Sequence, residues 1–178
     1  MEFVDAPLKV SLVTETYAPE VNGVAMTLGR TVEGLLARGH QVHLVRPRQH
    51  PRDTAAAMSR FTETLVAGLP IPRYPGLRFG LPALGALKKR WRASRPDIVH
   101  IATEGPLGVS ALKAARALGL PVSTSFHTNF DAYSHHYGIG LIRPFITAHL
   151  RRFHNRADTT LVPTRALAGS LQQQGYRN

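Results

Sequence analysis

Three short polar segments hold the side chains with the most chemistry to offer: Glu20-Val21-Asn22-Gly23, Thr103-Glu104-Gly105 and His127-Thr128-Asn129. Between them they supply carboxylates, amides and an imidazole. Carboxylates accept hydrogen bonds from hydroxyls, and amides both donate and accept, so a converging set of this kind suits sugar hydroxyls. Gly23 lets backbone approach a ligand closely. The first N–H groups of a helix beyond it can hold a phosphate or a carboxylate. Taken singly, Glu104 or His127 is better explained as a turn or capping residue. Only convergence of Glu20, Asn22, Gly23, Glu104, His127, Thr128 and Asn129 makes a site of them.

Each segment follows an apolar run of strand length. Residues 8–13 read as a buried strand and residues 25–38 as a helix, with Val24, Leu28, Val32 and Leu35/Leu36 on one face. Gly39 is the expected C-cap, 41–46 the second strand, and Pro47 its stop. Residues 64–67 suggest a further strand, whereas 68–77 look too rich in Pro and Gly for a regular element. A helix over 84–94 carries Leu84, Leu87 and Trp91 on one face. Then follow a strand over 98–102, a helix over 107–118 capped by Gly119, a strand over 121–126, a mainly helical stretch over 139–156, a strand over 159–162 and a last helix over 165–174. This alternation specifies an α/β fold, an open parallel sheet with helices on both faces. In such a sheet the three polar segments lie along one edge, at the carboxyl ends of their strands.

The bulk composition narrows the chemistry. The chain has 178 residues, 43% of them hydrophobic and 19% charged, enough for a real core in one domain. It has no cysteine, which excludes disulfides, thiol catalysis and Cys-ligated metal, and fits a reducing cytosol. The first residues, Met1-Glu2-Phe3-Val4-Asp5, do not read as a secretory signal, and no stretch approaches the ~20 apolar residues of a membrane span. No dinucleotide fingerprint, P-loop, zinc-protease or nucleophile-elbow motif is present. The absent glycine fingerprint argues against a Rossmann oxidoreductase. The adjacent His135 and His136 would not share a helical face, which makes them a poor metal site.

Twenty-two Lys and Arg against 11 Asp and Glu leave a net charge of +11, which calls for an anionic partner. No nucleic-acid motif or aromatic platform accompanies it, so nucleic acid is not expected. Lys88-Lys89-Arg90-Trp91-Arg92, with Arg95, forms one basic segment. Arg143, Arg151, Arg152 and Arg156 form another, on a helix that also carries Ile142, Phe145, Ile146, Leu150 and Phe153. Such a helix can rest on an anionic membrane surface, or pack its apolar stripe on a sheet with a solvated basic outer face; the second reading is the commoner one.

The order of these motifs resembles that of retaining GT-B glycosyltransferases of family 4. The residues that carry the resemblance are Glu15-Thr16-Tyr17-Ala18-Pro19-Glu20-Val21-Asn22-Gly23-Val24-Ala25, Arg38-Gly39-His40-Gln41-Val42, Pro96-Asp97-Ile98-Val99-His100, Thr103-Glu104-Gly105-Pro106-Leu107-Gly108, Phe126-His127-Thr128-Asn129-Phe130 and Ala157-Asp158 leading to Val162-Pro163-Thr164. Within the family the chain is similar to bacterial glycolipid enzymes, such as GDP-mannose-dependent α-mannosyltransferases and sulfoquinovosyl-diacylglycerol synthases. The resemblance implies that residues 1–178 form the amino-terminal, acceptor-side Rossmann-like domain of a GT-B fold, with a nucleotide-sugar domain beyond the chain. It implies transfer of a sugar from a GDP- or UDP-linked donor to a lipid or glycan acceptor with retention, by a front-face route that needs no enzyme nucleophile, metal or cofactor. On the same ground His127 would sit near the transferred sugar as the catalytic residue. Asn22 and Gly23 would lie against the diphosphate or the acceptor, Glu20 would face the acceptor, and Glu104 would border its pocket. A cytoplasmic enzyme, in peripheral contact with the inner face of the membrane, is the implied setting. The alternative is a stand-alone ligand-binding domain without transferase activity.

Overall fold

The computed structural model describes residues 6–71, 74–127 and 143–178. Six parallel strands form the main sheet: β1 (Lys9–Val13), β2 (Gln41–Pro47), β3 (Phe61–Val66), β6 (Ile98–Ile101), β7 (Val122–Ser125) and β8 (Thr159–Leu161), in the order β3-β2-β1-β6-β7-β8. Among the described residues the helices are α1 (Gly23–Ala37), α2 (Leu84–Ala93), α3 (Pro106–Ala117), α4 (Arg143–His154) and α5 (Arg165–Gln173). Strand order therefore runs outward from β1 in one direction and outward from β6 in the other. The switch point between β1 and β6 is where ligands enter folds of this kind.

Alternate residues of the central strands feed two cores, because successive strand side chains point to opposite faces. Leu12, Val42 and Leu44 pack under Leu28 and Val32 of α1. Val13, Val45, Val99 and Ile101 pack under Leu87 and Trp91 of α2 and Leu107, Ala111, Ala114 and Ala115 of α3. A smaller cluster of Phe126, Leu150, Leu171 and Tyr176 joins α4 and α5 to the β7–β8 side. Gly39 and Gly119 close α1 and α3 at φ +87° and +59°, as the sequence suggested.

Two expectations need correction. The strand placed at 64–67 begins earlier and spans Phe61–Val66, pairing Val42 with Phe61 through to Pro47 with Val66. Residues 68–77, expected to be irregular, contribute β4 (Gly68–Ile71) and β5 (Tyr74–Gly80), an antiparallel pair with Leu69 opposite Phe79 and Pro70 opposite Arg78. A two-stranded sheet consists only of edges, where proline is tolerated, and the register slips beside Pro70. Gly80 is required there for a different reason: a Cβ would drive into the side chain of Leu107.

Helix α4 buries Phe153 in the α2–α3 core and Leu150 in the smaller cluster, with Ile146 packed against the latter. Its apolar stripe thus serves the core, although Phe145 stays exposed at 76%. Thr128, Asn129, the His135–His136 pair and the start of the helix expected from residue 139 lie outside the described residues.

Candidate functional site

The site is built from the turns after β1, β6 and β7, which are neighbours in the sheet. Val13 of β1 pairs with Ile101 of β6, and Ile101 with Thr124 of β7. All three strands run parallel, so the turns that follow them emerge together at the switch point.

The first two turns are clamped by Glu15. Its N–H donates to Thr103 Oγ1 at 2.9 Å, and its Oε1 accepts from the N–H of Leu107 at 2.9 Å, in the first turn of α3. The Gly108 N–H also favours the carboxylate. A helix amino terminus offers unsatisfied donors and a partial positive charge, so an acid is stabilised there. Desolvation outweighs that help: burial, with the nearby Glu104 adding repulsion, pushes the Glu15 carboxyl up to about 7. The close fit depends on Gly105, where a Cβ would fall within the Glu15 carboxylate.

Glu104, next along the same turn, accepts from Nε2 of His154 at 3.3 Å. Its negative charge also acts on His127. Burial lowers the His127 imidazole below its ordinary value, and Glu104 works against that shift. Behind His127 stands His100, whose Nδ1 and Nε2 meet the Ser123 and Ser125 hydroxyls at 2.9 and 3.0 Å. Desolvation, with His127 beside it, pushes His100 down to about 4. Nε2 of His127 itself is buried and has no hydrogen-bond partner among the described residues. A buried polar atom left unmatched is costly, and it is the atom a bound hydroxyl could satisfy.

The other expected residues form a second group. Asn22 is the N-cap of α1: its Oδ1 accepts from Ala25 N at 2.9 Å, and its Nδ2 donates to Thr16 Oγ1 at 2.7 Å and to Glu20 Oε2 at 3.3 Å. Glu20 further accepts from the Thr16 hydroxyl and the Gln49 amide. Burial raises its carboxyl against these hydrogen bonds and the positive charge of Arg46. Gly23 opens α1, and the space where its Cβ would stand is empty to 4 Å. The structure therefore brings Glu104 and His127 together, with Glu15 beside them. Glu20 and Asn22 instead form a satisfied loop network at the start of α1, and Gly23 is the part of that turn left open.

Glu15, Gly105 and His100 lie inside the quoted motifs without a role assigned to them, and His154 lies outside those motifs. Glu15 carried a usable signal, a carboxylate two residues past a buried strand. What each of the four meets is set by partners distant in sequence.

The comparisons place the chain. The profile of Glycosyltransferase Family 4 matches residues 21–178. The chain belongs to that family. A GDP-mannose-dependent alpha-mannosyltransferase of Mycobacterium tuberculosis (strain CDC 1551 / Oshkosh) is 32% identical over 176 residues, covering 94% of this chain and 45% of the relative. An alpha-monoglucosyldiacylglycerol synthase of Streptococcus pneumoniae (strain ATCC BAA-255 / R6) is 28% identical over 162 residues, covering 88% and 35%. The chain thus spans less than half the length of these curated relatives. Among solved structures, a sucrose-phosphate synthase from Thermosynechococcus elongatus superposes with a TM-score of 0.70 at 13% identity, over 93% of this chain and 45% of that one. The UDP-GlcNAc 2-epimerase from Methanocaldococcus jannaschii does so at 0.57 and 13%, over 96% and 43%. These likenesses establish the Rossmann-like α/β fold.

Proposed function

We propose that this chain is the acceptor-side wall of a retaining glycosyltransferase, which moves a hexose from a nucleotide sugar onto a lipid or glycan acceptor. The donor nucleotide is held mainly by a second Rossmann-like domain across the cleft. The observation that carries this reading is the unpartnered, buried Nε2 of His127 beside Glu104, at the switch point of the sheet. The names of the relatives supply the substrate classes.

In this reading His127 offers Nε2 to a hydroxyl of the transferred sugar, and Glu104 accepts from an acceptor hydroxyl. Thr128 and Asn129 extend the sugar contacts. The amino end of α1 at Gly23 faces the diphosphate, whose developing charge suits backbone N–H donors. Asn22 and Glu20 hold that turn in shape. No side chain is asked to act as a nucleophile, in keeping with front-face transfer.

The test is transfer by the chain joined to, or mixed with, a nucleotide-sugar domain, supplied with GDP- or UDP-hexose and a lipid acceptor. His127→Ala is expected to lower turnover about 100-fold, the scale of a lost transition-state contact. Its melting temperature should stay near that of the parent. A large loss of stability with turnover intact would make His127 structural and defeat the assignment.

A lipid acceptor also gives the exposed Phe145 a use. On α4 it lies outside the core while Arg151 and Arg152 stay exposed on the same helix, a combination that suits peripheral contact with an anionic bilayer. Sedimentation with liposomes decides: binding that ignores lipid charge and salt removes this contact.

A further inference from the structure

His154 is one of the most buried side chains of the molecule, 1% exposed, yet it is polar at both ring nitrogens. Phe126, Phe153 and Tyr176 surround it with ring centroids 5.2–5.9 Å away. Nδ1 lies 2.9 Å from the Thr124 hydroxyl, and that hydroxyl is itself 3.0 Å from Thr160 Oγ1. Nε2 lies 3.3 Å from Glu104 Oε1. An ionised carboxylate can only accept, so Nε2 must carry the proton, and Nδ1 is left to accept from Thr124. The aromatic shell packs around the ring, and the Glu104 carboxylate selects the tautomer, because the Thr124 hydroxyl, which also lies 3.4 Å from the Thr159 carbonyl, can either donate or accept. A rigid donor is thus aimed at a carboxylate that stands on a turn.

We propose that His154 is a positioning residue that holds Glu104 toward His127. This rests on the reading of Glu104 and His127 as the acceptor-side site. It extends that site to the last residue of α4, a helix whose other buried side chains serve only packing. Among the described residues, the groups facing His127 are Glu104 and His100, and those facing Glu104 are His154, Glu15 and, at its backbone carbonyl 3.5 Å away, the exposed His149. Without His154 the Glu104 side chain has no side-chain donor among the described residues.

The test uses the whole 178-residue chain, labelled with ¹⁵N at histidine, with no donor or acceptor present. Long-range ¹H–¹⁵N correlation spectra report each imidazole's tautomer and the titration midpoint of His127. His154 in the wild-type chain is expected as the Nε2–H tautomer. In His154→Phe the His127 midpoint should fall by about half a pH unit or more, the scale of a charge moved a few ångströms away. Glu104→Gln should lower it likewise. His154→Gln, which can still present an N–H to Glu104, should restore it. An Nδ1–H tautomer in the wild type overturns the proposal, and so does an unchanged His127 midpoint in a folded His154→Phe chain. Should that variant not fold, the wild-type tautomer and His154→Gln decide alone. Because no sugar transfer is measured, these outcomes are independent of whether the joined enzyme is active.

Discussion

The two ends of the central sheet each hold a half-buried histidine, and they treat it in opposite ways. At the amino end, His43 of β2 lies 3.2 Å from the Ser11 hydroxyl through Nδ1 and 2.8 Å from Thr64 Oγ1 through Nε2. The Trp91 indole N–H donates to the same Ser11 oxygen at 3.0 Å. Every polar atom of that network is matched within the fold. At the carboxyl end, His127 keeps Nε2 buried and unmatched among the described residues, beside a carboxylate held by its own dedicated donor. Burial depresses both imidazoles. A buried, perturbed histidine is therefore not in itself a sign of function; what sets His127 apart is the unsatisfied atom, on which its proposed role rests.

That contrast can be broken by experiment, beginning where the effect is largest. Trp91→Ala empties a fully buried site and removes the indole donor from Ser11. It should cost ~3–5 kcal/mol in denaturant unfolding and leave the spectra of His127 unchanged under native conditions. A shift at His127 would mean that the two ends are coupled.

Next is the acid limb of stability. His43 and His100 are each pushed down to about 4 in the folded chain, mainly by desolvation. The unfolded chain takes up protons near the ordinary value of 6.5, so stability is full above that pH and falls as pH drops from about 6.5 toward 4. Each histidine contributes up to ~3 kcal/mol to the fall. Replacing His43 by Gln should flatten the limb in pH-dependent melts without altering turnover of the joined enzyme.

Glu15 has the opposite sign. Its folded value of about 7, against an ordinary 4.5, favours the fold when the carboxyl is protonated. That advantage is complete below about pH 4.5 and is lost as pH rises through 7. Glu15→Gln should therefore raise the unfolding free energy above pH 7 by ~2 kcal/mol, after the lost charge at the amino end of α3 is counted, and the melting temperature with it. Below pH 4.5 it should make no difference. A gain at all pH values would show that the carboxylate is not the source.

The smallest effect concerns the loop network. Asn22→Ala removes the N-cap of α1 and should cost ~1 kcal/mol. If Asn22 serves only the turn, the Michaelis constant of the joined enzyme should change little at a temperature where both variants are folded. A large rise in it would place Asn22 against substrate.

Much of the architecture was legible beforehand because it depends on local pattern. Apolar runs separated by amphipathic stretches and ended by Gly39 or Gly119 leave few options but parallel strands with crossover helices. The β4–β5 pair was missed because its prolines and glycines break regular structure in most settings. Here they lie on an isolated hairpin, and Gly80 answers to Leu107 on α3.

The site divides in the same way. From sequence alone came the placing of Glu20, Asn22, Gly23, Glu104 and His127 on turns at the carboxyl ends of strands, and the membership of Glycosyltransferase Family 4 that their order suggested and the family profile bears out. Strand periodicity and chain order are enough for that. Only the tertiary structure decided that Glu15 rather than Glu20 stands beside Glu104, and that His154 holds Glu104 in place. Those choices rest on hydrogen bonds from the Leu107 N–H to Glu15 and from His154 to Glu104, between residues 92 and 50 positions apart. A turn residue can point either way until the strands have paired, and which donors it then meets is set by packing, which no local pattern encodes.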